Sequence, residues 1–164
     1  MSSLRGVTQE ELHELFYYRD GKLFNNRYRS SCSKKDEEAG KNGYKDEYKK
    51  IGIRGHYYKT HRLVWIFHYG DIPAELQVDH INGNKFDNRI ENLRVVTSQE
   101  NNFNSRAKGY YFEASRSKWA ARIGINGEKK WLGRFNTETE ARTAYLKAKA
   151  ELHIIKDRSA FLCL

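Results

Sequence analysis

No apolar run in the sequence approaches the ~18 residues that a bilayer-spanning helix requires. The opening MSSLRGVTQEE also lacks the apolar core of a secretion signal. Both absences predict an intracellular, cytoplasmic protein. Cysteine is nearly missing: Cys32 and Cys163 are the only two, far apart and with no CxxC partner. This excludes a disulfide framework and a thiolate zinc site, and it fits a reducing compartment. Acidic residues are in deficit, with 21 Asp and Glu against 30 Lys and Arg, which sets the formal charge at +9. Such a surplus attracts polyanions through a salt-sensitive phosphate interaction, so nucleic acid is the first partner to consider. With 38% hydrophobic and 31% charged residues, a membrane protein is excluded and a wholly disordered chain is disfavoured. At 164 residues there is room for one modest core or two small ones.

The charge is uneven. Residues 1–105 carry 17 Lys/Arg against 15 Asp/Glu, and residues 106–164 carry 13 against 6, so the basic footprint belongs to the C-terminal third. Thr8, followed by Glu10-Glu11 and then Leu12, Leu15 and Phe16, predicts a capped amphipathic helix that ends near Asp20-Gly21. From Gly21 to Asp46 the chain is polar and turn-rich apart from a short KLF strand signal, which predicts an exposed connection with a loop or disorder at 30–42. The segment YKKIGIRGHYYK reads as a hairpin turning at Arg54-Gly55, and HRLVWIFHYG as a helix ending at Gly70. Two short apolar stretches, Gln77–Ile81 and Leu93–Val96, flank an Asn/Gly/Asp-rich loop, and Thr97 with Glu100 makes a capping box. A boundary is expected within 101–108, giving modules at 1–105 and 106–155 and a tail at 156–164. The second module reads as three strands near 109–114, 118–125 and 128–134, with Asn126-Gly127 as a turn. A helix capped by Thr137 and Glu140 follows, with Ala141, Ala144, Tyr145, Ala148 and Leu152 along one stripe.

The segment QVDHINGNKFDNRIENLRVVTSQENNFN is the most informative in the chain. Asp79 offers a hard carboxylate oxygen suited to Mg²⁺, which can polarise a phosphate and stabilise a leaving oxygen. His80 offers an imidazole whose ordinary pKa near 6.5 leaves it able to take a proton from water at neutral pH. Arg89 and Arg94 are either phosphate contacts or solvated loop charges. His61-Arg62 reads as a helix start, with a phosphate contact at most.

This segment, about 77–105, resembles the HNH nuclease motif in the phage and homing-endonuclease branch that begins with Asp-His. The resemblance implies a ββα-metal fold with Asp79 as metal ligand and His80 as general base. It makes Asn92 the central asparagine, whose side chain braces the loop carrying the base, and Asn101 the second metal ligand. Asn102 and Asn104 compete for that last position, which Asn101 takes by family spacing. An asparagine ligand offers only its carbonyl oxygen, so the metal is expected to be Mg²⁺ or Mn²⁺ and not Zn²⁺.

In the C-terminal module, strand alternation sets Arg116, Lys118, Arg122, Lys129, Lys130 and Arg134 among aromatic residues, as a ribbon able to enter a major groove. Residues 108–153 resemble the DNA-binding domain of plant ethylene-response transcription factors, which also occurs attached to phage HNH nucleases. Gly109, Tyr110, Trp119, Ala121, Arg122, Trp131, Leu132, Gly133 and Phe135 carry the likeness, with Glu140, Ala141, Ala144, Tyr145 and Ala148 in the helix. The first strand departs from the pattern in having no arginine, and Glu113 there is expected to repel phosphate. Trp131 and Phe135 are expected to be core or sheet-edge residues, with Trp119 left open between packing and DNA contact.

The expected molecule is thus α+β: an HNH nuclease with an N-terminal helix-and-hairpin extension, followed by a small three-stranded antiparallel sheet with one packed helix. Its expected function is hydrolysis of phosphodiester bonds in duplex DNA by a monomer or homodimer, inside a host cell if phage-encoded. Family chemistry implies 3′-hydroxyl and 5′-phosphate ends. The alternatives are a non-catalytic, sequence-specific DNA-binding protein that uses the C-terminal module, and a protein that acts on RNA.

Overall fold

Thr8 starts the first element as expected: its hydroxyl accepts the Glu11 N–H at 3.2 Å, and α1 runs Gln9–Leu15 with Leu12 and Leu15 buried. The computed structural model describes residues 6–31, 33–41, 48–104 and 108–156, so both cysteines and the end of the expected tail lie outside the described residues. The helix stops earlier than its sequence suggests. Phe16 takes an extended backbone and opens β1 (Phe16–Arg19), which pairs antiparallel with β2 (Lys22–Asn25). Asp20 and Gly21, at φ 48° and 79°, form the turn of this hairpin and do not end a helix. Tyr17 opposite Phe24, stacked at 5.3 Å, shows why these aromatics prefer the strand.

Beyond β2, the described residues of 26–41 form isolated bridges and no further strand. Asn25, 1% exposed, ties this connection down by donating to the carbonyls of Lys34 and Glu37. Residues 32 and 42 of the expected loop lie outside the described residues. The second hairpin, β3 (Lys50–Ile53) with β4 (His56–Lys59), turns at Arg54-Gly55 as predicted and runs directly into α2 (Thr60–Tyr69). Leu63, Val64, Trp65 and Ile66 of α2 are almost wholly buried and pack in one core with Leu12, Phe16, Leu23, Ile51, Ile53 and Val95. Burial of this kind stabilises by roughly 1.5–3 kcal/mol for each large apolar side chain. Then β5 (Leu76–His80) pairs antiparallel with β6 (Leu93–Thr97), with Val78 and Val95 facing that core.

Two compact units divide between Thr97 and Ser98. The helix α3 (Ser98–Phe103) therefore belongs to the second unit, although composition placed the boundary near 105. The reason is packing: Phe103 stacks on His153 at 3.9 Å, Gln99 donates to the Asn126 side chain, and Glu100 accepts the Lys156 N–H. The rest of that unit is a sheet in the order β7 (Tyr110–Glu113), β8 (Lys118–Ile125), β9 (Glu128–Phe135), with α4 (Glu138–Leu152) against it. The Thr137–Glu140 capping box is formed, and Asn126-Gly127 supplies the turn. Ala141, Tyr145 and Ala148 are the buried stripe of α4. Gly109 is obligatory here, since a Cβ would come within 2.1 Å of the Tyr145 ring and 2.7 Å of the Arg122 carbonyl. The fold is α+β. No helix among the described residues is long and apolar enough to cross a membrane.

Candidate active site

Asp79 and His80 are the last two residues of β5, and both are buried. Asp79 stands opposite Arg94 of β6, and its Oδ2 accepts from Arg94 Nε at 3.1 Å and Nη2 at 2.9 Å. His80, one residue on, is 4% exposed, and its Nε2 lies 2.9 Å from Asn88 Oδ1. An amide oxygen only accepts, so the Nε2–H of His80 is the donor in this bond.

Asn88 was not singled out from the sequence, although it is 5% exposed and is the hydrogen-bond partner of His80. The only signal was its place ahead of Arg89 in an Asn-rich loop. Asn92 does a different job. Its Oδ1 accepts the Asn82 N–H at 3.1 Å, and its Nδ2 donates to Asn82 Oδ1 and to the Asp87 carbonyl at 2.8 Å. It thus closes the loop between β5 and β6 on itself without touching His80 through any of these bonds. Truncating Asn92 to alanine removes three hydrogen bonds that hold exposed Asn82 and half-buried Asp87, each contributing about 0.5–1.5 kcal/mol. A thermal melt of Asn92→Ala is therefore expected to fall by several degrees, and an unchanged Tm would remove the bracing role.

Arg89 and Arg94 are both engaged with aspartates. Arg89 grips Asp87 with two bonds of 2.9 Å, and this holds the Asp87 carboxyl down at about 2, well below its ordinary range. Arg94 is the counter-ion of Asp79.

A divalent cation fits the donor chemistry at Asp79: one hard carboxylate, with the remaining positions left to amide oxygen, water and phosphate. Among the described residues, no cluster of three or more His, Cys, Asp or Glu could hold an ion alone. The expected second ligand, Asn101, is half-buried on α3 in the second unit, with Asn102 exposed and Asn104 half-buried.

His61 stands at the start of α2, as its sequence context predicts. It is 4% exposed, and its ring centroid lies 5.0 Å from that of His80 in an edge-on arrangement. Tyr48 flanks both rings, at 4.8 Å from His61 and 6.1 Å from His80.

In the second unit the basic residues do not form one uniform face. Arg122 pairs across strands with Trp131, and Lys129 with Gly124, placing Arg122, Trp131 and Lys129 together on the face away from α4. Lys130 stands opposite buried Ile123, on the helix side, and stays exposed because β9 is an edge strand. Glu113 serves as a counter-ion and not simply as a repulsive charge: its carboxylate takes Arg134 at 2.7 Å and Arg116 at 3.4 Å. Lys118 donates to the Asn136 side chain. Trp131, on the edge strand β9, is 47% exposed and carries the Arg134 guanidinium 4.8 Å above its ring. Phe135 and Trp119 are half-buried, the latter beside Tyr110 and Phe112.

Residues 58–103 match the HNH endonuclease family. An uncharacterised HNH endonuclease of Acanthamoeba polyphaga mimivirus is 33% identical over 118 residues, 69% of this chain and 60% of the relative. A Bacillus subtilis protein, named as an SPbeta prophage-derived HNH homing endonuclease, is 42% identical over 52 residues, 32% of this chain and 30% of its own length. Protein 3.8 of Escherichia phage T7 is 28% identical over 79 residues, 43% of this chain and 65% of the phage protein. The chain thus spans less than two thirds of each of these relatives. No solved structure matches it. The family match stops at residue 103, and these comparisons do not support the likeness of residues 108–153 to the plant ethylene-response domain.

Proposed function

We propose, from the premise that this chain contains an HNH endonuclease domain, that it is a divalent-metal-dependent endonuclease acting on duplex DNA. The observation that carries the reading is the pair on β5: a buried carboxylate at Asp79 beside a buried imidazole at His80 whose proton position is set by Asn88. In this reading His80 Nδ1 takes the proton of the attacking water. Asp79 holds Mg²⁺ or Mn²⁺ with Asn101 as the partner ligand. The ion would supply charge stabilisation at the phosphate. Arg94, already on the Asp79 carboxylate, balances that charge when no ion is held there and can turn to a phosphate oxygen when one is. Asn92 keeps the loop shape that brings Asn88 to His80.

The products expected are 3′-hydroxyl and 5′-phosphate ends. End-labelled duplex DNA, cleaved and then treated with polynucleotide kinase with and without phosphatase, reads them directly; 3′-phosphate ends would contradict the chemistry. A parallel reaction on duplex RNA separates the substrate classes, and RNA cleaved in preference to DNA would overturn the DNA reading.

The second unit serves, in this proposal, as the DNA-holding module. The working face is the one with Arg122, Lys129 and Trp131, joined by Lys118, Arg116 and Arg134; Lys130 contributes from the edge. Each phosphate contact releases condensed counter-ion, so the slope of log K against log salt records how many are made. The double substitution Arg122→Ala, Lys129→Ala is expected to reduce that slope by about 2, at roughly 0.9 per phosphate. Filter binding from low to moderate salt tests this, and an unchanged slope would take the face out of the DNA contact.

A further inference from the structure

We infer that His61 is a positioning residue for His80: with Tyr48 it forms an aromatic seat that fixes the plane of the general base. The inference deepens the endonuclease reading and rests on it.

The seat follows from how α2 begins. Thr60 donates both its N–H and its hydroxyl to the Lys49 carbonyl, at 2.9 and 3.1 Å, which ties the helix start beside Tyr48. His61 then turns inward and is covered almost completely. Around its ring the structure places two other rings: His80 edge-on at 71°, and Tyr48 tilted at 56°. Tyr48 in turn lies within 19° of parallel to His80. The base is therefore held by Asn88 through Nε2 and by His61 and Tyr48 through its ring.

A histidine here must also carry no charge, because His80 becomes positive as it accepts a proton and a charged neighbour would oppose that. Burial, then the neighbouring His80, Lys59 and Arg62, push the His61 pKa down to about 3, so the ring stays neutral at working pH. A group that weakly basic cannot relay the proton, which leaves orientation as its contribution.

The role is separable from simple core filling. In the full chain, His61→Leu keeps apolar bulk without a ring, and His61→Phe keeps a flat ring without nitrogens. The leucine variant is expected to lose about 10- to 100-fold in single-turnover cleavage of bound duplex DNA, the scale of a displaced catalytic group, with Kd for DNA unchanged. The phenylalanine variant is expected to regain most of that rate. Nitrogen-15 NMR of the His80 ring provides a readout independent of cleavage: a fixed Nε2–H tautomer in wild type and His61→Phe, and an averaged one in His61→Leu. Equal rates and equal His80 spectra in wild type and His61→Leu would overturn the inference. So would a phenylalanine variant as slow as leucine, since that assigns the His61 nitrogen to the substrate. A wild-type chain that cleaves no DNA would instead count against the endonuclease reading, while the NMR comparison still decides whether His61 orients His80.

Discussion

Replacing His80 with alanine is expected to slow DNA cleavage by about 10²- to 10⁴-fold, the range over which a positioned proton acceptor contributes, while DNA binding is retained. The size of the effect follows from the surroundings. His80 is buried, its Nε2 is committed to Asn88, and two rings limit its tilt, so no water replaces it in the same orientation. The substitution also strands Asn88 Oδ1, at a cost of about 1–3 kcal/mol. A lowered Tm should therefore accompany the lost activity without unfolding the chain. Single-turnover rates beside a melting curve separate the two effects, and a folded His80→Ala chain that cleaves at the wild-type rate would remove His80 from the chemistry.

Asp79→Ala is expected to be nearly as damaging, by two routes. It removes the carboxylate proposed to hold the metal, and metal stabilisation of several kcal/mol corresponds to about 10²–10³ in rate. It also leaves Arg94, 21% exposed in its side chain, without its counter-ion. Asp79→Asn discriminates between the routes, because it keeps one acceptor for Arg94 and lowers the charge. If metal holding dominates, both variants need far more Mn²⁺ to reach half-maximal cleavage than wild type. If the Arg94 pair dominates, Asn restores the activity that Ala loses and the Mn²⁺ requirement does not move.

Much of the frame is legible in the sequence because local chemistry decides it. Thr8, Thr137 and Gly70 cap helices as their types demand, and Arg54-Gly55 and Asn126-Gly127 take the positive φ angles their turns need. Phe16 to Arg19 misleads, because its aromatics continue a helical pattern while the decisive partner, Lys22 to Asn25, lies across a turn. The Asp79-His80 pair stands out by residue type. Its surroundings do not: Asn88 meets His80 only once the loop has closed, and His61 reaches it only through the packing of α2 beside β5. Glu113 likewise becomes a counter-ion because Arg134 and Arg116 approach it in the folded sheet. Long-range pairing of this kind has no local signature.

The most direct measurement is the conversion of supercoiled plasmid by the purified wild-type chain at low salt, in Mg²⁺, in Mn²⁺ and in excess EDTA, with His80→Ala alongside. The proposed function requires nicked or linear product with either metal, none with EDTA, and a strongly reduced yield for His80→Ala. Plasmid left supercoiled in both metals by a folded chain that demonstrably binds it, or equal cleavage with EDTA present, would contradict it.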